Sequence, residues 1–291
     1  PRAPAAHLRQ ARSALGEARA LDGEVAAARA AAIELFRRGQ REAGEARWAE
    51  ALAQGAHLRQ RYREDVLLPV EKALAIDSRG AEARAMLADA LYELALHLSQ
   101  SERGAEAAEA LGRLAVYDDD GSRRARWSAP AKLTLRTTPP AEVALSRYEL
   151  DGQRRRVASP VEALRTPLAG RALPPGSYLL ELRAEGRPPL RYPLLLRRGE
   201  ELSLDLALPA AVPDGFAYVP AGRYLSGVGD EALRAMLSAP PLHEAQTGAY
   251  LIARSETLWA DWISYLLAQP EEERARRAPR VGSFGVAAGS L

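Results

Sequence analysis

Residues Glu201 to Leu208 read Glu-Leu-Ser-Leu-Asp-Leu-Ala-Leu, a strict apolar–polar alternation. Period two is the signature of a β-strand with one face buried and the other wet. Working outward from this stretch, the same period recurs in Leu133 and Leu135, in Tyr178, Leu180 and Leu182, and in Tyr192, Leu194 and Leu196. Turn residues punctuate every join: Pro139-Pro140, Asp151-Gly152, Pro174-Pro175-Gly176, Gly186 and Gly199. Short strands with turn signals at roughly 8–12-residue spacing predict a small antiparallel β-sandwich over 130–210. Tyr178 and Tyr192 fall on the apolar face and are expected in its core rather than on a ligand platform.

Upstream, the period changes. Residues 1–126 are rich in Ala, Leu, Glu and Arg, all good helix formers. From Ala81 to Ser99, Met86, Ala90, Leu94 and Leu98 step by four, with Leu87, Leu91 and Ala95 beside them, which makes one apolar stripe at helical spacing. Ser101 to Gly104 breaks the pattern, and a further helix is read from Ala108, Leu111, Leu114 and Ala115. Ile33, Leu35, Phe36, Trp48 and Leu52 mark an earlier pair joined around Gly39 to Gly44. The run from Val66 to Ile76 admits Pro69 only near a helix start or at a kink. The first helix, Ala5 to Gly39, carries thin apolar spacing and reads as an antiparallel coiled arm. Short paired helices resemble a degenerate tetratricopeptide-like solenoid, whose units repeat at about 34 residues. Such a surface implies a protein or peptide partner; a helical spacer is the alternative.

Composition bounds the function. The chain has 291 residues, 47% hydrophobic and 27% charged, with a net charge of +2. That balance gives no field favouring nucleic acid or a membrane surface. No run of about 18 apolar residues occurs, so no membrane segment is expected. There is no cysteine, which excludes disulfides, thiolate metal sites and cysteine nucleophiles within the chain. The chain has no signal peptide, and both ends, Pro1 and the closing Val-Ala-Ala-Gly-Ser-Leu, read as cuts in a longer protein. Localisation is therefore left open between the cytoplasm, which is favoured, and a membrane-tethered parent. Asp118-Asp119-Asp120-Gly121 lacks the alternating oxygen ligands and closing Glu of a calcium loop and reads as an acidic turn. Arg123, Arg124 and Arg126, and Arg154, Arg155 and Arg156, read as solvated charge.

The last segment, 213–291, carries a resemblance. Val219-Pro220-Ala221-Gly222 is followed by Tyr224 and Gly227, then Pro241-Leu242-His243-Glu244, then Tyr250 to Ile252, Glu256 and Trp259. This order resembles the opening of a formylglycine-generating-enzyme-like domain, also called the sulfatase-modifying-factor domain. The resemblance covers about the first third of such a domain, so the segment reads as a truncated α+β unit that buries little of its apolar surface by itself. Trp259 and Trp262 are expected to anchor a helix on the remainder. Ser226 stands where the family has Met, Leu258 where it has Thr, and the cysteines used by its oxidases are missing. His243, Glu244 and Glu256 are the candidate site residues that the motif offers; no catalytic constellation, cofactor or metal is implied within the chain.

Residues 130–210 in turn resemble a PEGA-type domain, through Thr166-Pro167 and Pro175-Gly176-Ser177-Tyr178, with Pro140 in place of the family's Gly. That resemblance implies a surface or glycan-facing sandwich. The composite order resembles the region that follows the catalytic domain in myxobacterial-type serine/threonine protein kinases. Kinase motifs themselves are absent from the sequence. The expected function is an interaction or sensor region of a bacterial signalling protein; the alternative is the N-terminal portion of a formylglycine-generating oxidase or a related iron-dependent enzyme.

Overall fold

The computed structural model describes residues 2–153, 155–278, 280–283 and 286–290. A helical region leads into mainly antiparallel sheets with short helices. Helix α1 (Arg2–Arg37) turns at Gly39, whose φ of +72° favours glycine, into α2 (Arg41–Arg61). Phe36 leans on Gly44 so closely that an added Cβ would meet its ring at 3.2 Å.

The buried positions explain why two such long helices pair. In α1 they are Leu8, Ala11, Leu15, Ala18, Val25 and Ala32, with Ala14 and Ala28 beside them, and in α2 they are Gly44, Trp48, Ala51, Gly55 and Leu58, continuing to Tyr62. The α2 series alternates steps of four and three, and the α1 series steps by three and four as far as Ala18 and then by seven to Val25 and Ala32, the spacing of a coiled-coil seam. Helix α2 passes through a π-helical turn (Tyr62–Leu67) into α3 (Leu68–Ile76) without a break in the chain path. The π turn is where Pro69 is accommodated: Pro lacks the N–H that a regular helix interior needs, and it sits at the start of α3. The first pair is thus one hairpin whose leading arm has 36 residues, the long first helix read over Ala5 to Gly39.

Helices α4 (Ala81–Gln100) and α5 (Gly104–Tyr117) form a second, shorter hairpin packed on the first. Every residue of the stripe read on α4 is buried. On α5 the buried face is Ala107, Ala110 and Leu114 with Leu111 half-buried, whereas Ala108 and Ala115 are exposed. The two leucines fix the face, and alanines on either side of it fit the pattern equally well.

The acidic turn before α6 (Ser122–Trp127) is closed by its own neighbours. Asp118 is 2% exposed and accepts from the backbone N–H groups of Arg124 (3.0 Å) and Arg123 (3.3 Å) and from both guanidinium groups. Burial pushes its carboxyl up, but those donors outweigh burial and hold it at about 2. Arg123 also reaches Asp89 at 2.8 Å, Arg126 stacks 4.7 Å from the Tyr92 ring centroid, and Arg198 covers Trp127 at 3.6 Å. Of the first basic cluster, Arg123 is therefore bound into the fold rather than solvated as expected, while Arg124 and Arg126 stay exposed beside their partners. In the second, Arg155 pairs with Asp151 (2.9 Å) and Arg154 lies outside the described residues.

The sandwich has seven strands: β1 (Ala131–Thr138), β2 (Glu142–Leu150), β3 (Arg156–Arg165), β4 (Leu168–Leu173), β5 (Gly176–Arg183), β6 (Leu190–Leu196) and β7 (Glu201–Ala207). One sheet has the order β4-β1-β7 and the other β3-β2-β5-β6. Their inner faces share one core that includes Leu133, Leu135, Val143, Leu145, Leu180 and Leu194. Burial alternates without exception along β6, and Tyr178 and Tyr192 are core residues. The β1–β7 pair is parallel, in register from Lys132 opposite Glu201 to Thr138 opposite Ala207. The sheets are thus not wholly antiparallel as expected, because alternation reports which face is buried and is blind to strand direction.

Beyond the sandwich, β8 (Phe216–Val219) pairs with β11 (Tyr250–Ala253), and β9 (Gly222–Ser226) with β10 (His243–Thr247). Helix α7 (Glu231–Leu237) lies between β9 and β10, and α8 (Trp259–Leu267), α9 (Glu271–Arg277), β12 (Arg280–Ser283) and β13 (Val286–Ser290) follow. This unit rests on the sandwich at Tyr218 and where Gly222 approaches the Tyr192 hydroxyl. It is otherwise thinly packed: all of β11 is exposed, Trp259 is 63% exposed, and Leu266 is the buried residue of α8.

Candidate functional site

The structure concentrates recessed polar groups at the seam where α7 and β10 meet the first helical hairpin. The seam is built on a tight backbone crossing. Gly227 has φ of +94°, and an added Cβ there would lie 2.3 Å from the Pro241 carbonyl, so only glycine fits. Two backbone hydrogen bonds close the crossing, Val228 N–H donating to Pro240 O and Leu242 N–H to Val228 O, each 3.1 Å.

Helix α7 is then clamped to α2. Asp230 caps its first turn by accepting from Leu233 N–H at 2.8 Å. Arg234, 7% exposed, places Nη1 2.9 Å from both carboxylate oxygens of Glu45 and Nε 2.9 Å from Glu231. Burial pushes its guanidinium pKa down, but the hydrogen bonds to Glu231 and Glu45 reverse this and hold it above its ordinary value. Trp48 Nε1–H donates to the same Glu231 at 3.0 Å, and Arg37 and Arg41 donate to the carbonyls of Glu244 and Ser238.

Two recesses flank the clamp. One, of about 660 Å³, is bordered by Phe36, Arg37, Tyr224, Ser226, His243 and Glu244. His243 and Glu244 are successive on β10, opposite Ser226 and Leu225 of β9, so their side chains leave opposite faces of the ribbon. The His243 Nδ1–H donates to Pro241 O at 2.8 Å. Glu244 accepts from Arg197 at 2.7 Å and lies 3.6 Å from Arg223. Arg223 also donates to Glu200 at 2.8 Å. Glu256 lies in an exposed stretch before α8. The three motif residues are not brought together. Among the described residues no group of three or more His, Cys, Asp or Glu side chains is placed to hold a metal ion, and no helix is long and apolar enough to cross a membrane.

The second recess, of about 430 Å³, lies on the other side of the clamp, against Trp48, Leu52, Arg29, Arg59 and Arg103. A third, of about 820 Å³, is walled by tyrosines and prolines of β6, β8 and β9, among them Tyr218, Tyr224, Pro193 and Pro220. No family model, curated protein or solved structure matches the chain.

Sequence reasoning missed Arg29, Arg59 and Arg234. For Arg29 a signal existed. Residues 8, 11, 15, 18, 22, 25, 29 and 32 form the three-four series of α1, and Asp22 and Arg29 are its two charged members. Both are used: Asp22 accepts from Nδ1 of His97 (2.7 Å), a histidine 1% exposed, and Arg29 reaches the end of α4.

Proposed function

We propose that this chain is a non-catalytic interaction region of a bacterial signalling protein, of the kind that follows the catalytic domain of a serine/threonine kinase, and that it recognises its ligand at the seam between the helical hairpin and the α7–β10 segment. One observation carries the reading. The seam's own charges are closed on each other by Arg234, Glu45 and Glu231, while open recesses with polar walls remain on both sides. Rigid elements that present concave, partly apolar pockets with a few fixed polar groups are binding architecture. The order of resemblances along the sequence supports the placement in a signalling protein.

The test is an array of peptides, phosphopeptides and oligosaccharides probed with the intact chain, followed by hydrogen exchange with each ligand retained. Added protection confined to residues 29–59, 100–103 and 228–244 supports the reading. Saturable binding that leaves those segments unchanged, no binding at all, or turnover of a bound compound by the chain overturns it.

A further inference from the structure

The recess beside Trp48 holds more positive charge than the fold uses. Arg29 of α1 and Arg59 of α2 approach each other over Gly55: a Cβ added there would lie 3.6 Å from Arg59 Nη1 and 3.8 Å from Arg29 Nη2. Gly55 is a seam position of α2, and its missing side chain leaves the space into which both guanidinium groups extend. Arg29 is held in place, donating to Gln100 O (3.3 Å) and Ser101 Oγ (2.9 Å), while its Nε is buried without a partner. Among the described residues neither Arg29 nor Arg59 has a carboxylate within ion-pair distance.

The contrast with other recessed arginines is direct: Arg123, Arg223 and Arg234 each meet one or more carboxylates. Arg103 lines the same recess, and its partner Glu106 is shared with Arg63. Two acids also line the recess. Glu231 is engaged by Arg234 and Trp48, and Glu102 sits on the exposed α4–α5 turn. Burial, then Arg103 among its neighbours, pushes the Arg59 guanidinium pKa down against the pull of Glu106, and burial alone pushes Arg29 down against Asp22 and Glu231. Guanidinium groups stay protonated in proteins, so Arg59 carries a standing repulsion from its basic neighbours, and Arg29 an uncompensated burial, that a bound anion relieves. The apolar part of the wall is Trp48, over whose ring Arg29 lies at 5.8 Å, with Ile33, Leu52 and Leu242.

We propose that this recess binds a phosphate monoester, its anionic head between Arg29 and Arg59 with Arg103 at the rim, and its apolar body against Trp48, Ile33 and Leu52. Two converging guanidinium groups match a dianion with three acceptor oxygens better than a single carboxylate, which one arginine fork satisfies. The volume of about 430 Å³ suits one phosphorylated side chain or a small aromatic phosphate. The proposal rests on the reading of the seam as a binding site and names its ligand chemistry.

The experiment is calorimetric titration of the intact chain with inorganic phosphate, phenyl phosphate, a phosphoserine peptide and phenylacetate, on wild type, Arg59→Gln, Arg103→Gln and the exposed control Arg136→Gln. Arg59 donates no side-chain hydrogen bond among the described residues, so Arg59→Gln is expected to keep the melting temperature. Phenyl phosphate is expected to bind, to weaken with added salt, and to lose roughly 10- to 100-fold in affinity in Arg59→Gln, the worth of one or two charge-assisted hydrogen bonds. Arg103→Gln should weaken it less and Arg136→Gln not at all. Tighter binding of the phosphopeptide than of phenyl phosphate assigns a protein-borne phosphate; the reverse assigns a small molecule. No binding at millimolar phosphate ester, equal binding of phenylacetate, or an unchanged affinity in Arg59→Gln overturns the proposal. A neutral array ligand that protects the seam would overturn it too, and would leave the broader binding reading standing.

Discussion

Removing Arg234 tests whether the clamp, rather than chain connectivity, holds α7 against the helical hairpin. The Arg234 side chain is 9% exposed, and Glu45 is 36% exposed. Breaking a fully buried pair destabilises by roughly 3–5 kcal/mol, and an exposed pair is worth about 0.2–1 kcal/mol. With one partner buried and the other part-wet, the Arg234–Glu45 coupling is expected at about 2 kcal/mol, or about 30-fold in the opening equilibrium of the seam. The assay is native-state hydrogen exchange on the amides of Glu231–Leu237, in wild type, Arg234→Ala, Glu45→Ala and the double variant. Each single change should raise exchange in α7 and in the first turns of α2, and the double variant should add little to either. Amides at the centre of α4 should be unaffected, because Leu87 and Leu91 belong to a core that Arg234 does not enter. A coupling below about 0.5 kcal/mol, the scatter of additive sites, would refute the argument that the clamp binds the two units.

Three further outcomes follow from the same geometry. Asp118 has its folded pKa depressed from 3.8 to about 2, so its stabilisation is complete above pH 4 and is lost as pH falls through about 2. At a carboxyl only 2% exposed, Asp118→Asn should cost about 2 kcal/mol at neutral pH, and wild-type and variant urea curves should converge near pH 2. A constant gap down to that pH would remove the assignment. Leu135→Ala, at a side chain with 0% exposure between the two sheets, should lower stability by about 2–5 kcal/mol in urea melts. A loss under about 1 kcal/mol would mean that the sheets do not share a core. Exchange across residues 250–263 should be fast, given the exposure of Leu251, Ile252 and Trp259; strong protection there would contradict the thin packing.

The sequence alone determined the local structure wherever one face of an element is buried. The alternation at Leu202, Leu204 and Leu206 and the stripe from Met86 to Leu98 each report a buried face through a single period, so the helical and strand segments were readable without the fold. The direction of β7 beside β1 was not readable, since a period of two is the same in both directions. The faces of α5 were readable only to within an alanine. His243, Glu244 and Glu256 were legible as a motif, but their spatial relation was not: two leave a ribbon on opposite faces and the third sits in an exposed stretch.

The arginine recess and the clamp belong to the tertiary structure. Arg29, Arg59 and Arg103 are far apart in sequence and in ordinary helix-surface surroundings; what unites them is the pairing of α1 with α2 and the docking of the α4–α5 turn. Arg234 finds Glu45 across 189 positions of chain. A charge pattern along one chain carries no record of such distant partners, because electrostatic complementarity depends on distance in space, and that distance is set only when the apolar seams have closed.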